Sequence, residues 1–138
     1  DDTTFYAKLV SGEAAMVQAW DGWCNYGIAE NPKIKFVVPK EGSDVWTDTM
    51  VILEKSSNKE AAHAFINFVL RTDMSQKVSE LVLYKVPNEK AMAKVRKKLG
   101  KQFPNLAIPP KQLLKYEPER DLGAAAPLWS RIVAEVRG

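Results

Sequence analysis

The stretch that organises the chain runs from residue 44 to residue 50 and reads DVWTDTM. Side chains on an extended backbone alternate between two faces, so Trp46 and Asp48 share a side. The residues that follow, 50 to 53, read MVIL and form a short apolar run. Such a run is typical of a strand buried on both faces. The sequence therefore predicts a strand here, with an indole and a carboxylate at its entry.

An indole beside a carboxylate suits an organic cation with an alkyl body. The π face of Trp46 attracts the cation and covers methylene groups, while the carboxylate of Asp48 accepts hydrogen bonds from an ammonium group. A carboxylate buried alone is costly, and a bound cation offsets that cost. From the residues alone, the alternative is a structural tryptophan beside a turn or helix-capping aspartate.

The composition is that of a globular chain with one core. Its 138 residues are 46% apolar and 27% charged, which excludes a disordered protein. No stretch approaches the roughly 20 apolar residues of a membrane span, and the first residues, DDTT, lack the basic and apolar regions of a signal peptide. With only Cys24 and His63, neither an intrachain disulfide nor a cysteine-histidine metal set can form. We expect no metal and no other cofactor.

The net charge of +3 comes from one local block. Residues 85 to 101 carry seven bases and one acid, whereas residues 1 to 48 carry eight acids and four bases. Within Lys90 to Lys101, Met92, Val95 and Leu99 fall at helical spacing, which predicts a helix with a solvated basic face. Nucleic-acid binding is the alternative, but no aromatic residues are interleaved with these lysines, so no nucleic-acid partner is expected.

Helical patterns dominate after residue 55. Residues 57 to 60, SNKE, have the spacing of a capping box, and the helix they open has Ala61, Phe65 and Val69 on one side, expected to pack on a sheet. Two more helices are predicted near the start: Phe5 to Leu9, capped by Thr3 or Thr4 and ended by Gly12, and Gly22 to Glu30, ended by Asn31-Pro32. Asp73 is expected to cap a helix whose apolar stripe is Met74, Val78, Leu81 and Val82, and Asn88 is expected to cap the basic helix. The last two predicted helices are Lys111 to Tyr116 and one capped by Asp121, with Trp129 in the core.

Two further strands are predicted, Ala14 to Trp20 and Ile34 to Val38. Open α/β sheets bind their ligands outside the carboxyl ends of strands, so Trp20 and Asp21 join the candidate site. A hydrolase that uses Asp21 and Asp48 as acid and base is the enzymatic alternative. It requires a defined carboxylate separation and divergent pKa values, and the sequence indicates neither.

Eight short stretches, in order, resemble the periplasmic spermidine/putrescine-binding proteins of ABC importers. They are LVSGEAAM at 9–16, WDG at 20–22, VPKEG at 38–42, WTD at 46–48, NKEA at 58–61, INFVLR at 66–71, YKVPN at 84–88 and DLGAA at 121–125. No single stretch decides the resemblance, but their order and spacing span nearly the whole chain.

The resemblance implies an α/β chain that is part of a type II periplasmic-binding-protein fold, a mixed sheet flanked by helices. Because it covers only the C-terminal portion of such proteins, it implies an incomplete two-lobe clamp. Residues 1–36 correspond to the terminal helix and strand of the second lobe, and residues 37–138 to the hinge crossover and the C-terminal part of the first lobe. The resemblance also implies a non-catalytic, periplasmic parent protein, partnered by the membrane permease. A fragment of such a clamp is expected to self-associate or exchange elements.

The resemblance also assigns site residues. The aromatic residue of the family's cleft falls on Trp20, the tryptophan-aspartate pair on Trp46 and Asp48, and the tyrosine before proline-asparagine on Tyr84. Asp21 stands where some members have asparagine. Glu119 stands where some have glutamine, and either adds a second carboxylate for an amine or points to solvent. A binding protein for another small organic solute is the alternative function.

Overall fold

The computed structural model describes residues 5 to 137, and most of these residues are helical. No helix within this range has both the length and the apolar character needed to cross a membrane. In chain order, the elements are α1 (Phe5–Ser11), α2 (Asp21–Glu30), β1 (Asp44–Val45), α3 (Lys59–Val69), α4 (Thr72–Val82), α5 (Glu89–Leu99), a 3₁₀ turn (Pro104–Ala107), α6 (Pro110–Leu113), β2 (Glu117–Pro118), a second 3₁₀ turn (Gly123–Ala125) and α7 (Ala126–Arg137).

The core lies between α2, the end of α4, α5 and the first 3₁₀ turn. Helix α5 buries Ala91, Met92 and Val95 and turns its lysines outward, which confirms the predicted basic helix with a solvated face. Helices α4 and α5 pack against each other. The buried core cluster consists of Cys24, Ile28, Leu83, Met92, Val95, Phe103 and Leu106.

Several helix boundaries follow their sequence signals. Gly12, at φ +80°, ends α1, and Asn31 adopts an extended conformation before Pro32 and ends α2. The side chain of Asn88 accepts a hydrogen bond of 2.9 Å from the backbone N–H of Ala91 and caps α5. The predicted cap of α1 by Thr3 or Thr4 lies outside the described residues.

Other predicted boundaries are wrong by a few residues. The residue that precedes α4 is Arg71, and Asp73 lies inside the first turn, paired with Arg71 at 3.1 Å. Helix α3 begins after Asn58 and has no side-chain cap bond. Asp121 accepts a bond from the N–H of Gly123 and so opens the second 3₁₀ turn, five residues before α7 begins at Ala126. Helix α6 ends at Leu113, three residues short of the prediction.

The predicted strands are the main error. Ala14 to Trp20 and Ile34 to Val38 are irregular, and so is the apolar run from Met50 to Leu53, where three of the four side chains are exposed. The mixed sheet is reduced, within residues 5 to 137, to the parallel pair of β1 and β2, with Asp44 opposite Glu117. A strand needs a neighbouring strand for its backbone groups, and the described chain supplies none to these segments, although Ala19, Ile34 and Phe36 pack against the core.

Helices α3 and α7 bury none of their described side chains. Trp129, predicted in the core, is 58% exposed. Helix α3 contacts α4 rather than a sheet, and α7 contacts chiefly the 3₁₀ turn that precedes it. The apolar spacing identified both helices correctly, but burial also needs a facing element, which a helix's own sequence does not supply.

Candidate functional site

Three aromatic rings from distant parts of the chain meet at one place. Trp20 immediately precedes α2, Trp46 follows β1 and Tyr84 follows α4. The ring centroids of Trp20 and Trp46 lie 6.1 Å apart at 57°, and those of Trp46 and Tyr84 lie 6.4 Å apart at 72°. Trp46 is thus the middle ring of what we call the aromatic cluster, Trp20, Trp46 and Tyr84. All three were predicted site residues.

Tyr84 is fixed through its backbone and its ring. Its carbonyl accepts a 2.5 Å hydrogen bond from the hydroxyl of Ser79, and the preceding residue, Leu83, is bound through its carbonyl by the side chain of Asn25 at 2.8 Å. The ring lies against Gly22, where an added Cβ would stand 2.0 Å from the ring atom Cε2. Only glycine allows this approach, a role that the sequence analysis did not identify.

The carboxylate of Asp21 is already paired. It lies 2.7 Å from Nζ of Lys85, and the two side chains are only 20% and 22% exposed. It also accepts a 2.9 Å hydrogen bond from the N–H of Gly22, while Asn105 donates to the backbone carbonyl of Asp21 at 3.1 Å. The structure therefore places Asp21 beside the cluster with its charge neutralised by Lys85, a residue to which the sequence analysis gave no role.

The pKa of the Tyr84 hydroxyl is raised by its surroundings. Burial is the main cause that raises the pKa of Tyr84; the backbone amide of Trp23 acts in the opposite direction, and the negative charges of Asp21 and Asp48 raise the pKa further. Asp48 is exposed and forms no ion pair with any residue from 5 to 137. Asp48, two residues after Trp46 in the chain, is therefore a carboxylate open to a cation.

Glu119 is brought close by the strand pair. Its backbone N–H donates to the carbonyl of Val45 at 3.1 Å. Because β1 and β2 are parallel with Val45 opposite Pro118, the same register places Glu119 alongside Trp46. Its side chain is exposed. The structure thus gathers all six predicted residues into one region, while their roles as ligand contacts remain predictions.

Trp23, Cys24 and His63 lie outside the aromatic cluster. Trp23 stacks on Tyr6 at 5.7 Å and meets Tyr26 at 5.5 Å, in an aromatic group separate from the cluster. Cys24 is buried, and this burial, with the Asp21 charge, raises the pKa of its thiol. His63 is exposed on α3. Residues 5 to 137 contain no group of metal-ligating side chains.

A shallow groove elsewhere on the surface does not coincide with the cluster. It runs between Phe36–Gly42 and the passage from Pro104 to Tyr116. Asn105 lines it and also touches the backbone of Asp21, but none of the six predicted residues lines it. The aromatic cluster, rather than this groove, carries the chemistry that the sequence predicted.

Comparison with known families gives the class of the protein. Residues 1 to 76 match the family model of bacterial extracellular solute-binding proteins, so the chain belongs to that family. No solved structure matches the chain.

Among curated proteins, the chain is similar to spermidine/putrescine-binding periplasmic proteins, which confirms the resemblance drawn from the short stretches. It is 30% identical over 131 residues to the one from Escherichia coli (strain K12), a match that covers 93% of this chain and 36% of that protein. It is 28% identical over 105 residues to the putrescine/agmatine-binding protein of Pseudomonas aeruginosa, covering 72% of this chain and 29% of that protein. The chain thus spans 36% and 29% of the lengths of these two relatives.

Proposed function

We propose that this chain forms part of a polyamine-binding site, and that the protein it belongs to captures spermidine or putrescine for an ABC permease without making or breaking a bond. The observation that carries the proposal is the convergence of Trp20, Trp46 and Tyr84, with ring centroids 6.1 and 6.4 Å apart. Asp48, two residues after Trp46, is exposed and forms no ion pair with any residue from 5 to 137.

The chemistry of the cluster fits a flexible cation. Indole and phenol rings cover methylene groups and attract ammonium groups, at about 0.5 to 2 kcal/mol for each cation–π contact. Asp48 accepts hydrogen bonds from one amine, and Glu119, alongside Trp46, accepts them from a second. Among the named site residues, no arginine stands ready to bind a ligand carboxylate, so amino acids are disfavoured.

We further propose that the chain is the C-terminal part of a type II binding-protein clamp located in the periplasm. Residues 1–36 would belong to one lobe, and residues 37–138 to the hinge crossover and the other lobe. This is supported by the family match, by relatives that are periplasmic and much longer, and by the irregular connection from residue 34 to residue 43. An enzymatic use of Asp21 and Asp48 is disfavoured because Lys85 holds Asp21.

Calorimetric titration with spermidine and putrescine tests the proposal, on the 138-residue chain and on a full-length protein in parallel. We expect micromolar affinity for the full-length protein and much weaker affinity for the chain, which lacks the opposite wall.

Asp48→Asn and Trp46→Ala should each weaken binding about tenfold or more, because each removes a direct contact. Trp129→Ala, which changes a tryptophan far along the chain on α7, is the matched control. Binding of an amino acid or a sugar in place of both polyamines would contradict the proposal.

We also propose that the chain self-associates. Phe65 on α3 and Trp129 on α7 are each more than half exposed, as are Val51 and Leu53 of the irregular apolar run. Large exposed apolar areas mark surfaces that bind another protein surface, and a second copy offers the same surface. Light scattering across a concentration series should give a mass above 15.5 kDa. A constant monomer mass, even at high concentration, would exclude self-association.

A further inference from the structure

The two aspartates beside the aromatic cluster differ in one respect. Asp21 has a cation of the protein at 2.7 Å, the ammonium group of Lys85, whereas Asp48 forms no ion pair with any described residue. Lys85 is adjacent in sequence to Tyr84, so the protein places its own ammonium group at the edge of a site that we propose binds ammonium groups.

We propose that Lys85 is a specificity-determining residue: it occupies Asp21 in place of a ligand amine and thereby restricts the site to short α,ω-diamines over longer triamines. This inference rests on the proposed polyamine function. A diamine needs two carboxylates, and Asp48 and Glu119 supply them. A triamine needs a third acceptor, and Asp21, the third carboxylate among the six site residues, is filled by Lys85.

Geometry favours Lys85 over a ligand amine in the competition for Asp21. The backbone carbonyl of its neighbour Tyr84 is bound by Ser79 at 2.5 Å, and Asp21 is held by the N–H of Gly22 at 2.9 Å. The ammonium group is therefore delivered at the high effective concentration of an intramolecular partner. Both side chains are about four-fifths buried, so the pair is screened less by water and salt than a surface pair is.

Lys85 also acts at a distance. A third ammonium group that approached Asp21 would meet the like charge of Lys85 in a partly buried place, where like charges repel more strongly than they do in water. Lys85 thus excludes a longer ligand in two ways, by filling the acceptor and by repelling the donor.

The test compares spermidine with putrescine in Lys85→Met, which keeps the alkyl body and removes the charge. We expect the affinity ratio of spermidine to putrescine to rise about tenfold, the effect of one charge-assisted hydrogen bond gained. Asp21→Asn/Lys85→Met removes the freed carboxylate and should abolish that gain. Lys98→Met, which breaks the 2.6 Å pair of Lys98 with Glu80 between α5 and α4, is the matched control and should leave the ratio unchanged.

A second measurement needs no variant. The acylation rate of the Lys85 amine, followed by mass spectrometry with the reagent in large excess over the ligand amines, should not rise when putrescine or spermidine is added, because neither ligand displaces Lys85 from Asp21. A rise in that rate with either ligand would overturn the inference. So would an unchanged affinity ratio in a Lys85→Met protein that still binds both polyamines, and that result would leave the proposed function standing. If neither polyamine binds to the wild-type protein or to Lys85→Met, the proposed function fails and the inference fails with it.

Discussion

Helices α5 and α7 have nearly the same apolar pattern, but one apolar side is buried and the other is exposed. Both repeat apolar residues every three or four positions, and both were predicted as amphipathic helices with a buried side. Helix α5 buries Ala91, Met92 and Val95, whereas α7 buries none of its described residues and leaves Trp129 58% exposed. Spacing determines which side of a helix is apolar, but only a facing element determines whether that side is buried.

The same contrast divides the region around the site. Tyr84 and Asp21 rest on the packed part, because Ser79, Gly22 and Lys85 hold them. Trp46 and Asp48 follow a strand of two residues whose partner, β2, is equally short. One side of the aromatic cluster is therefore fixed by the core, and the other depends on a minimal strand pair. Three substitutions or titrations test this division.

The largest expected effect comes from one substitution made on both helices. Val95 is fully buried in α5, and Val136 is 81% exposed in α7. Val95→Ala should lower the free energy of unfolding by about 2 kcal/mol, because it removes buried methyl groups and leaves a cavity. At protein concentrations low enough to keep the chain monomeric, Val136→Ala should change it by less than about 0.5 kcal/mol, or raise it slightly, because alanine is the better helix former. Urea denaturation followed by circular dichroism measures both.

Equal losses of unfolding free energy in Val95→Ala and Val136→Ala would contradict the contrast between a buried α5 and an exposed α7. If Val136→Ala were as costly as Val95→Ala, α7 would be buried in solution, against another copy of the chain or another part of the protein. Repeating the measurement at several protein concentrations separates these cases, because only burial between copies makes the cost depend on concentration.

The sequence predicted what local chemistry controls. The helices, the end of α1 at Gly12 and the cap of α5 by Asn88 depend on neighbouring residues, and the structure confirms them. The strands depend on partners far along the chain, so Ile34 to Val38 looked like a strand by composition and is irregular in the structure. A capping signal also fixes a helix start only to within a few residues, as Asp121 illustrates.

The candidate site was predictable to a similar extent. The pairing of Trp46 with Asp48 was predicted from alternation along a strand, and the strand in the structure ends at Val45, so the pairing stays a prediction. Trp20 was predicted from the end of a strand, Ala14 to Trp20, that the structure does not form, and Tyr84 only from the family resemblance. The ion pair of Asp21 with Lys85 joins residues 64 positions apart. Nothing in the spacing of two ordinary charged residues indicates such a contact, so it required the structure.

A smaller effect is expected at the boundary between the two regions, where Gly22 touches Tyr84. Gly22→Ala should cost about 1 to 2 kcal/mol of stability and shift the fluorescence of the neighbouring tryptophans, because the new Cβ requires the Tyr84 ring to move. Gly27→Ala in the same helix is the matched control, since its Cβ would meet its nearest neighbours at an ordinary 3.5 Å. That control should be neutral or stabilising by about 0.5 to 1 kcal/mol.

If Gly22→Ala leaves both stability and fluorescence unchanged, the Tyr84 ring does not rest on α2, and the packed side of the cluster is not fixed in the way described. If the fluorescence shifts while stability is unchanged, the ring is in contact but swings aside at little cost, which would place Tyr84 with the less constrained side of the site.

The smallest effect is a pH dependence that originates at Tyr84. Burial, together with the charges of Asp21 and Asp48, raises the pKa of Tyr84 above its ordinary value of 10.0 in the folded protein. The unfolded chain therefore loses this proton first as the pH rises, so the contribution of Tyr84 to stability is complete below pH 10.0 and is lost as the pH rises through the folded pKa.

Denaturation of the wild type and of Tyr84→Phe at pH 8 to 11 isolates the contribution, since the other tyrosines are common to both. We expect the wild type to lose stability faster than Tyr84→Phe at the alkaline end. Parallel curves would mean that the Tyr84 hydroxyl is as solvated in the folded protein as in the unfolded chain, and that the aromatic cluster is open on the side that we assign to the core.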